Sequence, residues 1–310
     1  MAACATRSAS GAASSSDDGS RCLLLALSHD ELGVIVDGLA DPLQPVVAVA
    51  LSSTCKGLRT PLRAALEVLQ QRHERAKALG KKTPRAGGPR MSTCADLRDA
   101  KELEWQFISL TAKDMRTLGL ILPWMPRLEK LILRSTDLDA AGMQVLFDCL
   151  GRGAAPSLCY LDCSSPDGSK FGPAGAEALA AALFGGAMPK LVDLLVSDNA
   201  IGNQGVVALA PALKKLPALK FLDLGVNRIG DEGVAALLDN LGKDDFKHLA
   251  WLFLDGNELS DKGCATVVAA LKAGSLPAIK ELRHPGDEFS DDASAEACAA
   301  VDAALQQRLG

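Results

Sequence analysis

From Leu191 to Leu271 the chain repeats one pattern three times. Apolar residues stand at the first, fourth and sixth places; an Asn, an apolar residue and a Gly or Ser follow. The copies run Leu191, Leu194, Val196, Asn199, Ile201, Gly202, then Leu219, Leu222, Leu224, Asn227, Ile229, Gly230, then Leu249, Leu252, Leu254, Asn257, Leu259, Ser260. Apolar and other residues alternate from the fourth to the sixth place, which predicts a short strand with one buried face. Behind each strand, Leu209 and Leu213, Leu237 and Leu241, and Val267 and Leu271 recur at helical spacing. Each unit of about 28 to 30 residues is therefore one strand and one helix. No unit covers its apolar face alone, so neighbours must stack, and their strands must run parallel.

The register extends both ways. Leu128, Leu131 and Leu133 open an earlier unit, with Thr136 in the Asn place. Leu158, Leu161 and Cys163 open the next, which carries an insertion around Pro166 to Lys170. Ala100, Leu103, Trp105, Ile108 and Leu110 fit a degenerate first unit. A last unit begins at Ile279 and Leu282, has its strand cut short by His284-Pro285, and ends in an Ala-rich helix near Ala293 to Leu305. The spelling L-x-x-L-x-L-x-x-N-x-L, with a full helix per unit, resembles the ribonuclease-inhibitor type of leucine-rich repeat. The resemblance implies an α/β fold: a right-handed β-α solenoid of about seven units in a horseshoe arc, over residues 99–310. Asn199, Asn227 and Asn257 would stack as a ladder, each amide serving backbone groups where the strand turns away.

Residues 21–78 carry no repeat. Leu27, Leu32, Ile35, Val36 and Leu39 recur at helical spacing, Ser28 and Glu31 form a capping box, and Asp41-Pro42 breaks the helix. Leu62, Leu66 and Leu69 share one face of a later helix. This head resembles an F-box. The match is Leu27-Ser-His-Asp30-Glu31-Leu32, then Leu39-Ala-Asp41-Pro42, then Leu51-Ser-Ser-Thr-Cys55-Lys56-Gly-Leu58. Ser28 stands where that family has Pro, and Leu58 where it usually has Trp. The resemblance implies docking of a Skp1-type adaptor through Leu27, Glu31, Leu32, Leu39, Pro42, Leu51, Cys55 and Leu58. The plainer reading is a helical cap, which a repeat array needs at its open end. Gly80-Lys81-Lys82 through Pro89-Arg90 makes 79–98 a basic Gly/Pro linker, and 1–20, rich in Ala and Ser, a disordered tail.

Composition narrows the function. A net charge of -5 argues against a nucleic-acid binder held by bulk charge. Nine Cys, an odd number without C-x-x-C, point to free thiols in a reducing compartment, so a cytoplasmic protein, with the basic run as its one nuclear signal. No apolar run reaches the ~20 residues of a membrane helix. The four His form no metal-ligand pair, and nucleophile and Walker signatures are absent, so no cofactor is expected and the chain reads as a binder rather than an enzyme.

What the pattern leaves on the open, concave face is a surface. Its first row reads Glu102, Lys130, Tyr160, Asp193, Phe221, Trp251, Glu281. The second reads Glu104, Ile132, Asp162, Leu195, Asp223, Phe253, Arg283. The third reads Gln106, Arg134, Ser164, Ser197, Gly225, Asp255, Pro285. Aromatics make up only 4% of the chain, yet Tyr160, Phe221, Trp251 and Phe253 fall here, beside Asp193, Asp223 and Asp255. Aromatic anchors ringed by polar groups are the material of a protein-binding hot spot. With an F-box in front, the whole resembles a substrate receptor of a ubiquitin ligase. Similar repeats also occur in Ran GTPase-activating proteins, which would give Arg134 a role, and in NOD-like receptors.

Overall fold

A computed structural model describes residues 41–47, 49–50, 59–83, 91, 93–136, 138–166, 170–284 and 293–309. Seven three-residue strands form one parallel sheet in sequence order: β1 Glu102–Glu104, β2 Lys130–Ile132, β3 Tyr160–Asp162, β4 Asp193–Leu195, β5 Phe221–Asp223, β6 Trp251–Phe253 and β7 Glu281–Arg283. The register is that of the sequence rows. Leu103, Leu131, Leu161, Leu194, Leu222, Leu252 and Leu282 sit side by side at the strand centres, and all are buried. Backbone pairing runs past the strand ends into the third row: Asp198 N–H donates to the Gly225 carbonyl and Val226 N–H to that of Asp255, both at 2.9 Å.

Seven helices alternate with the strands or close the array: α3 Ala112–Ile121, α4 Ala140–Asp148, α5 Gly172–Phe184, α6 Gly202–Lys214, α7 Asp231–Leu238, α8 Asp261–Lys272 and α9 Ala295–Leu309. Their inward faces bury Leu209, Leu213, Leu237, Val267 and Leu271 against the strand leucines. Leu241 lies beyond the end of α7 and is only partly buried, because the helix stops at Leu238. Gly205 and Gly233 allow each helix start to press on the preceding turn. A Cβ on Gly205 would sit 2.4 Å from Ile201, and one on Gly233 2.7 Å from Ile229. The last strand, β7, is three residues long like the others rather than shorter, and the expected Ala-rich closing helix is α9.

Packing divides the chain into two units, residues 1–40 with 46–68, and residues 41–45 with 69–310. The boundary falls inside helix α1, Arg59–Lys81. Of the first unit the described residues are 46–47, 49–50 and the start of α1; Val46, Val47 and Val49 stand exposed there at 65%, 54% and 53%. In the second unit, Leu43, Ala76 and Leu79 join the same apolar core as the repeats.

The linker expected over 79–98 does not hold at either end. Leu79 to Lys81 continue α1, and Cys94–Asp99 form helix α2, started by a capping box in which Thr93 accepts from Asp96 N–H and Asp96 accepts from Thr93 N–H. Leu79, Met91, Cys94 and Leu97 are buried in the same apolar core as Leu103. The Gly, Pro and Lys content of the intervening stretch masks these apolar positions. Its middle, 84–90, lies outside the described residues, as does the expected tail over 1–20. Among the described residues no helix is long and apolar enough to cross a membrane.

Candidate functional site: the open face of the sheet

Because the strand centres point inward, the flanking positions of every strand face the other way. The register lines them up as Tyr160, Asp193, Phe221, Trp251 in one row and Asp162, Leu195, Asp223, Phe253 in the next. Phe221, Trp251 and Phe253 make one cluster. Phe221 meets Phe253 edge-on at 4.9 Å between ring centroids and Trp251 at 6.4 Å with a tilt of 38°. All three are half-buried, while Leu222 and Leu252 beneath them are fully buried. The core is complete without the rings.

Cations of the chain already use them. Arg283 lies 4.0 Å from the Phe253 centroid, Lys280 Nζ 5.5 Å from Trp251, and Lys130 Nζ 5.1 Å from Tyr160. Sequence reasoning placed Lys130 and Arg283 in the rows but gave none of the three cations a part. The signal for Lys130 and Arg283 was pairing in register with Tyr160 and Phe253; Lys280 stands just before Glu281, the register partner of Trp251.

The seven expected face residues divide between two neighbouring hollows that share Leu195. One, of about 270 Å³, is lined by Tyr160, Asp193, Leu195, Phe221 and Trp251. The other, of about 400 Å³, has Asp162, Asp223 and Asp255 in its lining, with Phe253 and the guanidinium residues Arg134 and Arg283. Asp162 and Asp223 each close a tight turn, accepting from Ser164 N–H and Gly225 N–H at 2.9 Å. Burial pushes the Asp223 carboxyl above the usual range; the Gly225 N–H and the Ser197 hydroxyl oppose this, and the charges of Asp255 and Asp162 add to it. Burial also raises Asp193, against the nearby charge of Lys220. Tyr160 is raised by burial, and next by Asp162.

The asparagine ladder underlies this face. Asn227 Oδ1 accepts from Asn199 N–H at 2.9 Å and Ile201 N–H at 3.4 Å; its Nδ2 donates to the carbonyls of Val196, Leu224 and Gly225. Asn257 does the same one unit on, accepting from Asn227 N–H and Ile229 N–H. Asn199 donates to Cys163, Val196 and Ser197.

The expected adaptor-docking residues Leu27, Glu31, Leu32, Leu39, Leu51, Cys55 and Leu58 lie outside the described residues. Pro42 is described and buried, and its carbonyl accepts from His73 Nδ1–H at 2.8 Å. Among the described residues no group of three or more His, Cys, Asp or Glu could hold a metal ion. Burial drives the Cys163 thiol well above its usual value, as expected of a core position.

A family model described as Leucine Rich repeat matches residues 187–210 and 215–238. The ribonuclease inhibitor of Sus scrofa is 26% identical over 261 residues, 70% of this chain and 54% of its own length. The chain thus spans about half of that relative. The crystal structure of a TLR13–ssRNA13 complex aligns with 18% identity and a TM-score of 0.32 over 61% of this chain and 23% of that one. With seven strand-helix units in one parallel sheet, an Asn ladder, and the repeat model on its central units, the chain has the α/β leucine-rich repeat solenoid fold and is similar to the ribonuclease-inhibitor type.

Proposed function

We propose that this chain is a protein-interaction scaffold whose open sheet face grips a partner protein, with Phe221, Trp251 and Phe253 as anchors. The observation that carries the reading is the ring cluster itself. Three large apolar side chains from adjacent strands stand half-exposed over a finished core, where they add nothing the leucines lack. Such a patch, beside carboxylates, has the make-up of an interface centre. The test is affinity capture with the full chain against Trp251→Ala/Phe253→Ala, using Val207→Ala on the exposed side of α6 as control. A specific partner should bind the double variant at least about tenfold more weakly and the control unchanged. Equal binding to all three would place the interface elsewhere.

The finer reading makes the scaffold an F-box-type substrate receptor that recruits a Skp1-type adaptor through residues 21–63. It is supported by the motif resemblance and by the exposed run Val46, Val47 and Val49 within that stretch. Calorimetry of the full chain with a purified Skp1-type adaptor should show binding that Val46→Asp/Val47→Asp abolishes. No heat with the wild type removes the ligase role and leaves the scaffold standing.

A further inference from the structure

We propose that the smaller hollow, between Tyr160 and the Phe221–Trp251 pair, is a socket for one cationic side chain, lysine or arginine, projecting from the partner protein. This deepens the scaffold reading and rests on it. Size sets the first limit: about 270 Å³ is below the roughly 300–1,000 Å³ of small-molecule sites, so the hollow suits a single side chain. Chemistry sets the second. Three aromatic walls attract a cation through their ring quadrupoles and shield its aliphatic stem. The chain's own Lys130 and Lys280 already sit 5.1 and 5.5 Å from two of those rings.

Charge sets the third. Asp193 lines the hollow, and the register places Asp162 and Asp223 on either side of its floor residue Leu195. The basic side chains at the sheet's two ends are engaged locally, Lys130 with Glu102 at 2.8 Å and Arg283 with Glu281 at 3.3 Å. Lys280 over Trp251 and Lys220 near Asp193 remain at the centre of the face, where Asp162, Asp193 and Asp223 outnumber them and leave it acidic. Burial without full charge compensation is what lifts the Asp193 carboxyl, and an arriving cation offsets it.

The test follows the Trp251 indole N–H resonance of the full chain, assigned with Trp251→Phe, during titration with Nα-acetyl-arginine methylamide. Nα-acetyl-citrulline methylamide, equal in shape and neutral, is the comparison. The arginine probe should shift the resonance saturably in the millimolar range, and citrulline at least about tenfold more weakly. Asp193→Asn, isosteric and without a buried charge to lose, should weaken the arginine probe by roughly tenfold. Equal shifts from arginine and citrulline would overturn the proposal, as would an unaltered arginine response in Asp193→Asn or no response to any probe. Each of those results leaves the capture experiment on Trp251 and Phe253 untouched, so the socket can fail while the scaffold stands.

Discussion

The first three strands and the next three carry the same core and differ in the residue that holds the turn and in the open face. Leu133 and Leu224 occupy the same place in their units and both are buried. The turn that follows is handled differently. After β5 the backbone enters the left-handed region at Val226 and Arg228, with φ of 52° and 59°, on either side of Asn227. Side chains other than Gly rarely tolerate that region, at a cost of about 1–2 kcal/mol per residue. Two of the five hydrogen bonds of Asn227, from Nδ2 to the Leu224 and Gly225 carbonyls, fasten this strained turn, and the other three reach Val196, Asn199 and Ile201 of the preceding unit. After β2 the backbone is left-handed too, at Ser135 with φ of 50°, but the Asn place holds Thr136, whose hydroxyl makes one bond, to the Leu133 carbonyl at 3.0 Å. The open faces diverge too: Glu102, Glu104 and Lys130 on the first strands, the ring cluster on β5 and β6. The core thus determines that the units stack, while turn and face are set unit by unit.

If the two halves share one core, breaking it in either should be equally severe. Leu224→Asp and Leu133→Asp each bury an unpaired carboxylate and remove a leucine, together about 5 kcal/mol or more. Both variants should lose the cooperative melt followed by circular dichroism. A normal melt in only one would show that the halves are held by different cores. The turns should separate them instead. Asn227→Ala removes five bonds and leaves two buried N–H groups unserved, at about 1–3 kcal/mol each. Thr136→Ala removes one bond, about 1 kcal/mol. Denaturant midpoints should therefore fall about three times further for Asn227→Ala, and equal shifts would deny the ladder its role.

The same contrast explains what could be read in the sequence. Leu, Asn and Gly at fixed spacing specify strand, turn and helix locally, so the register and the facing rows were legible. Two things were not. The ends of the presumed linker were hidden because only Leu79, Met91 and Leu97 mark them, too few for a period, and their burial depends on the array they close. The division of the face into two hollows over Leu195 was hidden because ring orientation and the seating of Lys130, Lys280 and Arg283 are set between strands. A one-dimensional pattern reports which side a residue faces, and side-chain packing across the sheet decides what it touches.

The smallest effect concerns charge on the face. Asp223 is held above the usual carboxylate value near 3.8, chiefly by burial. The folded protein therefore grips this proton more tightly than the unfolded chain does. The penalty of ionising it is fully present above the raised value, and disappears once the pH drops below 3.8. Asp223→Asn keeps the oxygen that accepts from Gly225 N–H and removes the charge, so it should stabilise the fold at pH 7, by about 1 kcal/mol or less. That gain should shrink steadily as the pH is lowered toward 4. Glu104→Gln, exposed on the first half of the face, should change the midpoint by no more than about 0.5 kcal/mol at any pH. Urea midpoints of the three proteins at pH 7, 5.5 and 4 provide the measurement. A pH-independent gain in Asp223→Asn would mean that the substitution acts through packing, and the acidic centre of the β4–β6 face would then lose its energetic basis.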